Sequence, residues 1–160
     1  MQHYKIVDKS LEKELLTAFQ NIDKILDMEE TETYTQVSIS IFNHWLSKEE
    51  AYEQLNQVSS KEQQKRDAKH FIFSKLLIEK MKVFGYIYFK KIEQHKFVEF
   101  SSEKQLLKYM KRLSHFYVVI PEIESIYIHG FDDTNHLYYK NKNVLEQIEP
   151  LVKQANLYLI

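Results

Sequence analysis

The chain has 160 residues, a mass of 19.4 kDa and a net charge of −1 from 22 basic and 23 acidic side chains. It has no cysteine, which excludes disulfides, thiolate metal sites, iron–sulfur clusters and cysteine nucleophiles. Its only glycines, Gly85 and Gly130, stand far apart, which excludes a phosphate-binding loop, a dinucleotide fingerprint and a nucleophile elbow.

Asp8 or Ser10 is placed to cap a first helix whose apolar stripe is Leu11, Leu15, Phe19, Ile22 and Leu26, at helical spacing. The run from Met28 to Thr35, with Glu29, Glu30 and Glu32, reads as a connection. Val37, Ile39 and Ile41 alternate like a strand, but Val37, Ile41 and Trp45 also share a helical face; the apolar run to Leu46 favours a buried helix. Ser47–Glu50 and Ser59–Glu62 are capping boxes, in which serine and glutamate three apart satisfy each other's free backbone donors. The second opens a long helix to about Lys82, with Ala68, Phe71, Ile72, Leu76 and Met81 expected on its apolar side.

The hydrophobic period then changes. Residues 83–90 read as a strand with Val83, Ile87 and Phe89 on one face and Phe84, Tyr86 and Tyr88 on the other. A turn is expected at Glu93–Lys96, followed by a strand to Phe100. Ser102 caps a helix with Leu106, Leu107, Met110 and Leu113 inward and Lys104, Lys108, Lys111 and Arg112 outward. Phe116–Ile120 is a strand stopped at Pro121. Residues 126–131 and 136–140 flank Asp132–Asn135, a turn by composition. Asn143 is placed to cap a last helix from Val144, with Val144, Ile148, Leu151 or Val152, and Ala155 inward. The expected fold is a single α+β domain over residues 1–160. A helical layer at about residues 9–82 packs on an antiparallel sheet of β-β-α-β-β-α order at 83–160.

Charge is segregated along the chain. Residues 1–64 carry net −6, residues 65–120 net +8 and residues 121–160 net −3. The basic side chains are 20 Lys and only 2 Arg, Arg66 and Arg112. Lysine lacks the planar fork that arginine offers phosphates and guanines. Lys104, Lys108 and Lys111 therefore suggest a contact with an acidic protein surface or a second copy of the chain. A nucleic-acid role for the Lys-rich 65–112 segment is the alternative.

The 126–140 hairpin carries the other candidate surface. With Asp133–Thr134 at the centre of the turn, Phe131 faces His136 and His129 faces Tyr138. Alternation then gathers Tyr127, His129, Phe131, His136 and Tyr138 away from Ile126, Ile128, Leu137 and Tyr139. Such a face is either covered by the N-terminal helices or used for recognition. A further alternative is an enzyme or metal site on His129 and His136, with Asp132 or Asp133 as third ligand. No catalytic residue and no cofactor is assigned. Apolar runs fall short of a membrane span, and the N-terminus lacks the apolar core of a signal peptide, so a cytoplasmic protein without membrane contact is expected. The function expected is a non-catalytic protein-binding module, for example an immunity-type or phage-encoded inhibitor that neutralises another protein.

Overall fold

The computed structural model of the chain describes residues 3–111 and 115–160. In chain order its elements are β1 (Tyr4–Ile6), α1 (Lys9–Ala18), α2 (Ile22–Leu26), β2 (Thr35–Ser40), α3 (Lys48–Leu55) and α4 (Ser60–Lys80). Then come β3 (Phe84–Phe89), β4 (Gln94–Phe100), α5 (Glu103–Lys111), β5 (Tyr117–Ile120), β6 (Ser125–Ile128), β7 (Thr134–Tyr139), α6 (Asn143–Gln154) and β8 (Tyr158–Leu159). One eight-stranded sheet of order β1-β4-β3-β5-β6-β7-β2-β8 runs through both halves, every neighbouring pair antiparallel.

The mixed helix–sheet class matches the expectation, but the arrangement differs. The second half runs β-β-α-β-β-β-α-β rather than β-β-α-β-β-α: the strand expected at Phe116–Ile120 (β5) adds to the two of the hairpin, and β8 follows the last helix. The N-terminal half is not one helical layer. It supplies β1 and β2 to the sheet, puts α1 and α2 on one face and sends α4 to the other. Leu15, Phe19, Ile22 and Ile25 pack with Phe84, Phe97, Val119 and Ile126 on the first face. Helices α4, α5 and α6 cover the second, through Phe73, Leu77, Leu106, Met110, Ile148 and Leu151 against Val118, Tyr127 and Leu137.

Local signals explain most of the helices. Asp8 Oδ1 accepts from Leu11 N at 2.8 Å and starts α1. The expected single N-terminal helix breaks at Asn21, which takes a left-handed conformation with φ 66° and starts α2 afresh. Ser47 and Glu50 form a reciprocal capping box at α3, and Ser59 accepts from Glu62 N at 3.1 Å at α4. Along α4 the inward face is Arg66, Phe73, Ser74, Leu77 and Ile78, about one residue around from the expected stripe; Ile72 is 43% exposed. Leu113 and Arg112 lie outside the described residues.

Two expectations about strands are corrected. Residues 37–46 are not a buried helix: Thr35–Ser40 is a strand hydrogen-bonded to β7 on one side and β8 on the other, and residues 41–46 are irregular. Ser38, Ile39 and Ser40 are all buried because both faces of this interior strand are covered, which erases clean alternation. The β3–β4 turn falls at residues 90–93, with Glu93 left-handed at φ 52°, so β4 already begins at Gln94.

Candidate functional site

The β6–β7 hairpin organises the site, and its register differs from the expected one. His136 stands opposite Ile128 rather than Phe131, a slip of three residues. An odd slip exchanges faces. Tyr127 and Leu137 therefore share the face covered by α4–α6, while Ile128, His136 and Tyr138 share the face towards α2. The cause is a five-residue loop, 129–133, in which Asp132 and Asp133 both adopt left-handed backbone at φ 57°. Gly130 lets the loop fold inward so that its N–H donates to Asn135 Oδ1 at 3.1 Å. A Cβ at this position would collide with the Thr134 carbonyl and stand 2.8 Å from His136 Nε2.

On the α4 side the hairpin is locked by a matched polar network. Arg66 Nη1 donates to Asp133 Oδ2 at 2.9 Å and to the Gln54 carbonyl at 2.9 Å. Gln63 Nε2 donates to Asp133 Oδ1 at 2.7 Å. The Asp133 carbonyl can only accept, so His70 Nε2 carries a proton and donates to it at 2.8 Å. His70 Nδ1 then accepts from Asn135 Nδ2 at 3.4 Å, whose other proton reaches the Tyr127 hydroxyl at 2.8 Å. Burial pushes His70 below the ordinary histidine range, with the Asp133 carbonyl and carboxylate pulling the other way, and keeps the ring neutral. Burial likewise lifts the Tyr127 phenol far above its usual value.

The opposite side is open. Beside α2 and the 28–36 segment lies a cleft of about 910 Å³. Its walls include Tyr34, Tyr117, Ile128, His129, Phe131, His136 and Tyr138, and Glu29, Glu30 and Glu32 stand on its rim. His136 Nδ1 accepts from Gln36 Nε2 at 2.9 Å and lies 2.9 Å from Ser38 Oγ, which fixes the ring against β2. Burial lowers the affinity of His136 for a proton and raises the pKa of the Tyr138 phenol, so both are neutral near pH 7. Phe131, 69% exposed, forms the lip. His115 meets it edge-on, with centroids 5.4 Å apart, and lies 5.9 Å from the His129 ring. A second cleft of about 440 Å³ lies across Phe131 and His129, between α4 and α5.

The expected site residues are thus divided. His129, Phe131, His136 and Tyr138 do line one cleft, although not by the expected alternation. Tyr127 is fully buried on the other side of the sheet and can make no outside contact. Lys104, Lys108 and Lys111 are exposed on α5, across the sheet from the large cleft; the Lys111 ammonium sits 5.4 Å from the Phe71 ring centroid. Part of the basic 65–112 segment is neutralised internally, Lys96 by Glu12 at 3.3 Å and Lys82 by Glu99 at 2.7 Å. The metal alternative finds little geometry: the Asp133 carboxylate is taken by Arg66 and Gln63, and His136 Nδ1 faces Gln36 and Ser38. Among the described residues no three His, Asp or Glu side chains converge as a ligand set.

Tyr34, Tyr117, His115 and the three rim glutamates were not singled out from sequence. Placing Tyr34 and Gln36 beside the hairpin requires β2 to be recognised as a strand. The Arg66–Asp133 pair did carry a signal, since one of two arginines among 20 lysines marks a place where fork geometry is used. Among the described residues no helix is long and apolar enough to cross a membrane. No known protein family matches the chain, and no curated protein or solved structure shows significant similarity to it.

Proposed function

We propose that the chain is a non-catalytic binding module that docks another protein in the cleft between the 28–36 segment and the β6–β7 hairpin. The observation that carries this reading is an aromatic-lined hollow of about 910 Å³ with a 69%-exposed phenylalanine at its lip. Large exposed aromatics beside a concavity are the residues that anchor protein interfaces. His136 is held by Gln36 and Ser38 and its affinity for a proton is lowered by burial, an arrangement suited to recognition rather than to a nucleophile with its base. An inhibitor that neutralises another protein would use such a surface.

The test is affinity capture with cross-linking from the native host, using the wild-type chain and a Phe131→Ala/Tyr138→Ala variant. The partner is expected to cross-link around residues 29–36 and 115–138. The variant is expected to keep its melting transition and to weaken the complex by about 2 kcal/mol or more, roughly thirty-fold in Kd. A partner that binds both forms equally, with cross-links on α4 and α5, would transfer the function to the lysine face.

A further inference from the structure

We infer that this cleft recognises a cationic side chain, a lysine or arginine presented by a basic segment of the partner; this rests on the docking reading above. Three observations converge on it. First, the charged side chains among the described lining residues are Glu29, Glu30 and Glu32; no lysine or arginine is among them. The cleft therefore presents a negative rim that repels phosphate and carboxylate ligands and draws in a cation. Secondly, its walls are aromatic: Tyr117 and Tyr138 are half-buried and line a concave space. Aromatic faces hold ammonium and guanidinium groups through the ring quadrupole, most strongly where water is thinned out. Thirdly, the same wall already binds a cation of its own. The Lys140 ammonium lies 5.6 Å from the centroid of the Tyr34 ring, held there by Glu124 at 3.2 Å and by the Ala18 carbonyl. An aromatic ring, a carboxylate and a backbone carbonyl thus form a cation seat on Tyr34, a ring that also lines the cleft. Tyr117, Tyr138 and the rim glutamates repeat its first two components further along.

Charge complementarity selects the occupant. A basic peptide gains from the rim, the rings and the depth together, whereas an acidic or purely apolar segment gains from the depth alone. The chain's own basic face, on α4 and α5, makes a second copy the competing occupant, and the experiment separates the two.

The probe is a blocked Lys-Ala-Lys-Ala-Lys peptide titrated into the full chain at low ionic strength, followed by amide chemical shifts. Glu-Ala-Glu-Ala-Glu and Ser-Ala-Ser-Ala-Ser peptides are the controls. The expected result is saturable shifts confined to residues 29–36, 117 and 128–138, for the lysine peptide only. Glu29→Gln/Glu30→Gln/Glu32→Gln and, separately, Tyr117→Leu/Tyr138→Leu should each weaken binding about ten-fold or more. The glutamine variant should also flatten the salt dependence. Equal binding of all three peptides, shifts elsewhere, or lysine-peptide affinity unchanged in both variants would overturn the inference. So would a dimer in sedimentation velocity that dissolves on charge reversal of Lys104, Lys108 and Lys111, since a second copy would then be the occupant. Failure here with partner capture still lost in Phe131→Ala/Tyr138→Ala would refute the cation but leave the docking site standing.

Discussion

The two faces of the β6–β7 hairpin are built from alternating residues of the same two strands, yet they are finished in opposite ways. Towards α4, Tyr127 and Asn135, with Asp133 of the loop between the strands, enter a polar network in which donors and acceptors match, beside the smaller cleft. Towards α2, His136 and Tyr138 are left half-exposed along a cleft that the short helix does not fill. The first face holds charge only where a partner compensates it, because an unpaired buried charge is costly. The second keeps its rings accessible at a cost in unburied apolar area. The contrast teaches that a single hairpin can carry stability on one side and recognition on the other, and that the side chains which look most functional in sequence need not lie on the functional side.

The largest expected effect lies in the polar network towards α4. The Arg66 and Asp133 side chains are 7% and 11% exposed, so Arg66→Met leaves a nearly buried carboxylate without its cation. A loss of about 3–5 kcal/mol is expected, read as a lowered midpoint in urea, and Arg66→Met/Asp133→Asn should lose less than the single variant. A single variant that melts like wild type would erase the distinction between the faces.

A pH series sharpens the comparison at smaller cost. His70 titrates below its unfolded value because burial disfavours the imidazolium. As pH falls below about 6.5 the unfolded chain takes up its proton first, so stability present above that value declines and levels off only below the folded pKa. His70→Gln should flatten this decline. His136, also lowered by burial but on the open face, should contribute in the same direction. An unchanged slope in His70→Gln would show that the network does not hold that ring neutral.

The smallest effect is expected on the open face itself. Tyr117→Leu and Tyr138→Leu should each change folding stability by less than about 1 kcal/mol, measured by urea denaturation. Losses as large as that of Arg66→Met would mean that these rings support the fold rather than a ligand.

Much of the helical half was legible because helix signals are local. Ser47, Ser59 and Ser102 cap their helices as read, and Asp8 rather than Ser10 caps the first, each accepting from a backbone N–H three residues on. The inward stripe of α6 was legible too, with both Leu151 and Val152 buried, since a helix with one apolar side has one way to pack, although Asn143 lies inside this helix rather than capping it. The strand at 35–40 was missed because burial on both faces removes the period-two pattern, and six residues can satisfy either period. The site was half legible. His129, Phe131, His136 and Tyr138 were named, but Tyr127 was joined to them by a register that turn composition alone cannot fix.

By itself the sequence determined the chemistries its composition excludes, the starts of α1, α3, α4 and α5, the mixed class and the segregation of charge. Each of these depends on composition or on residues within a few positions of one another. Tertiary structure alone decided that β2 lies between β7 and β8, that the hairpin slips three residues, and that Arg66 meets Asp133. Most of these contacts join residues distant in the chain, such as Arg66 with Asp133, Gln36 with His136 and Ile39 with Leu159. Their energies depend on which partner is brought close and on how completely water is removed, and neither quantity is encoded at a single position.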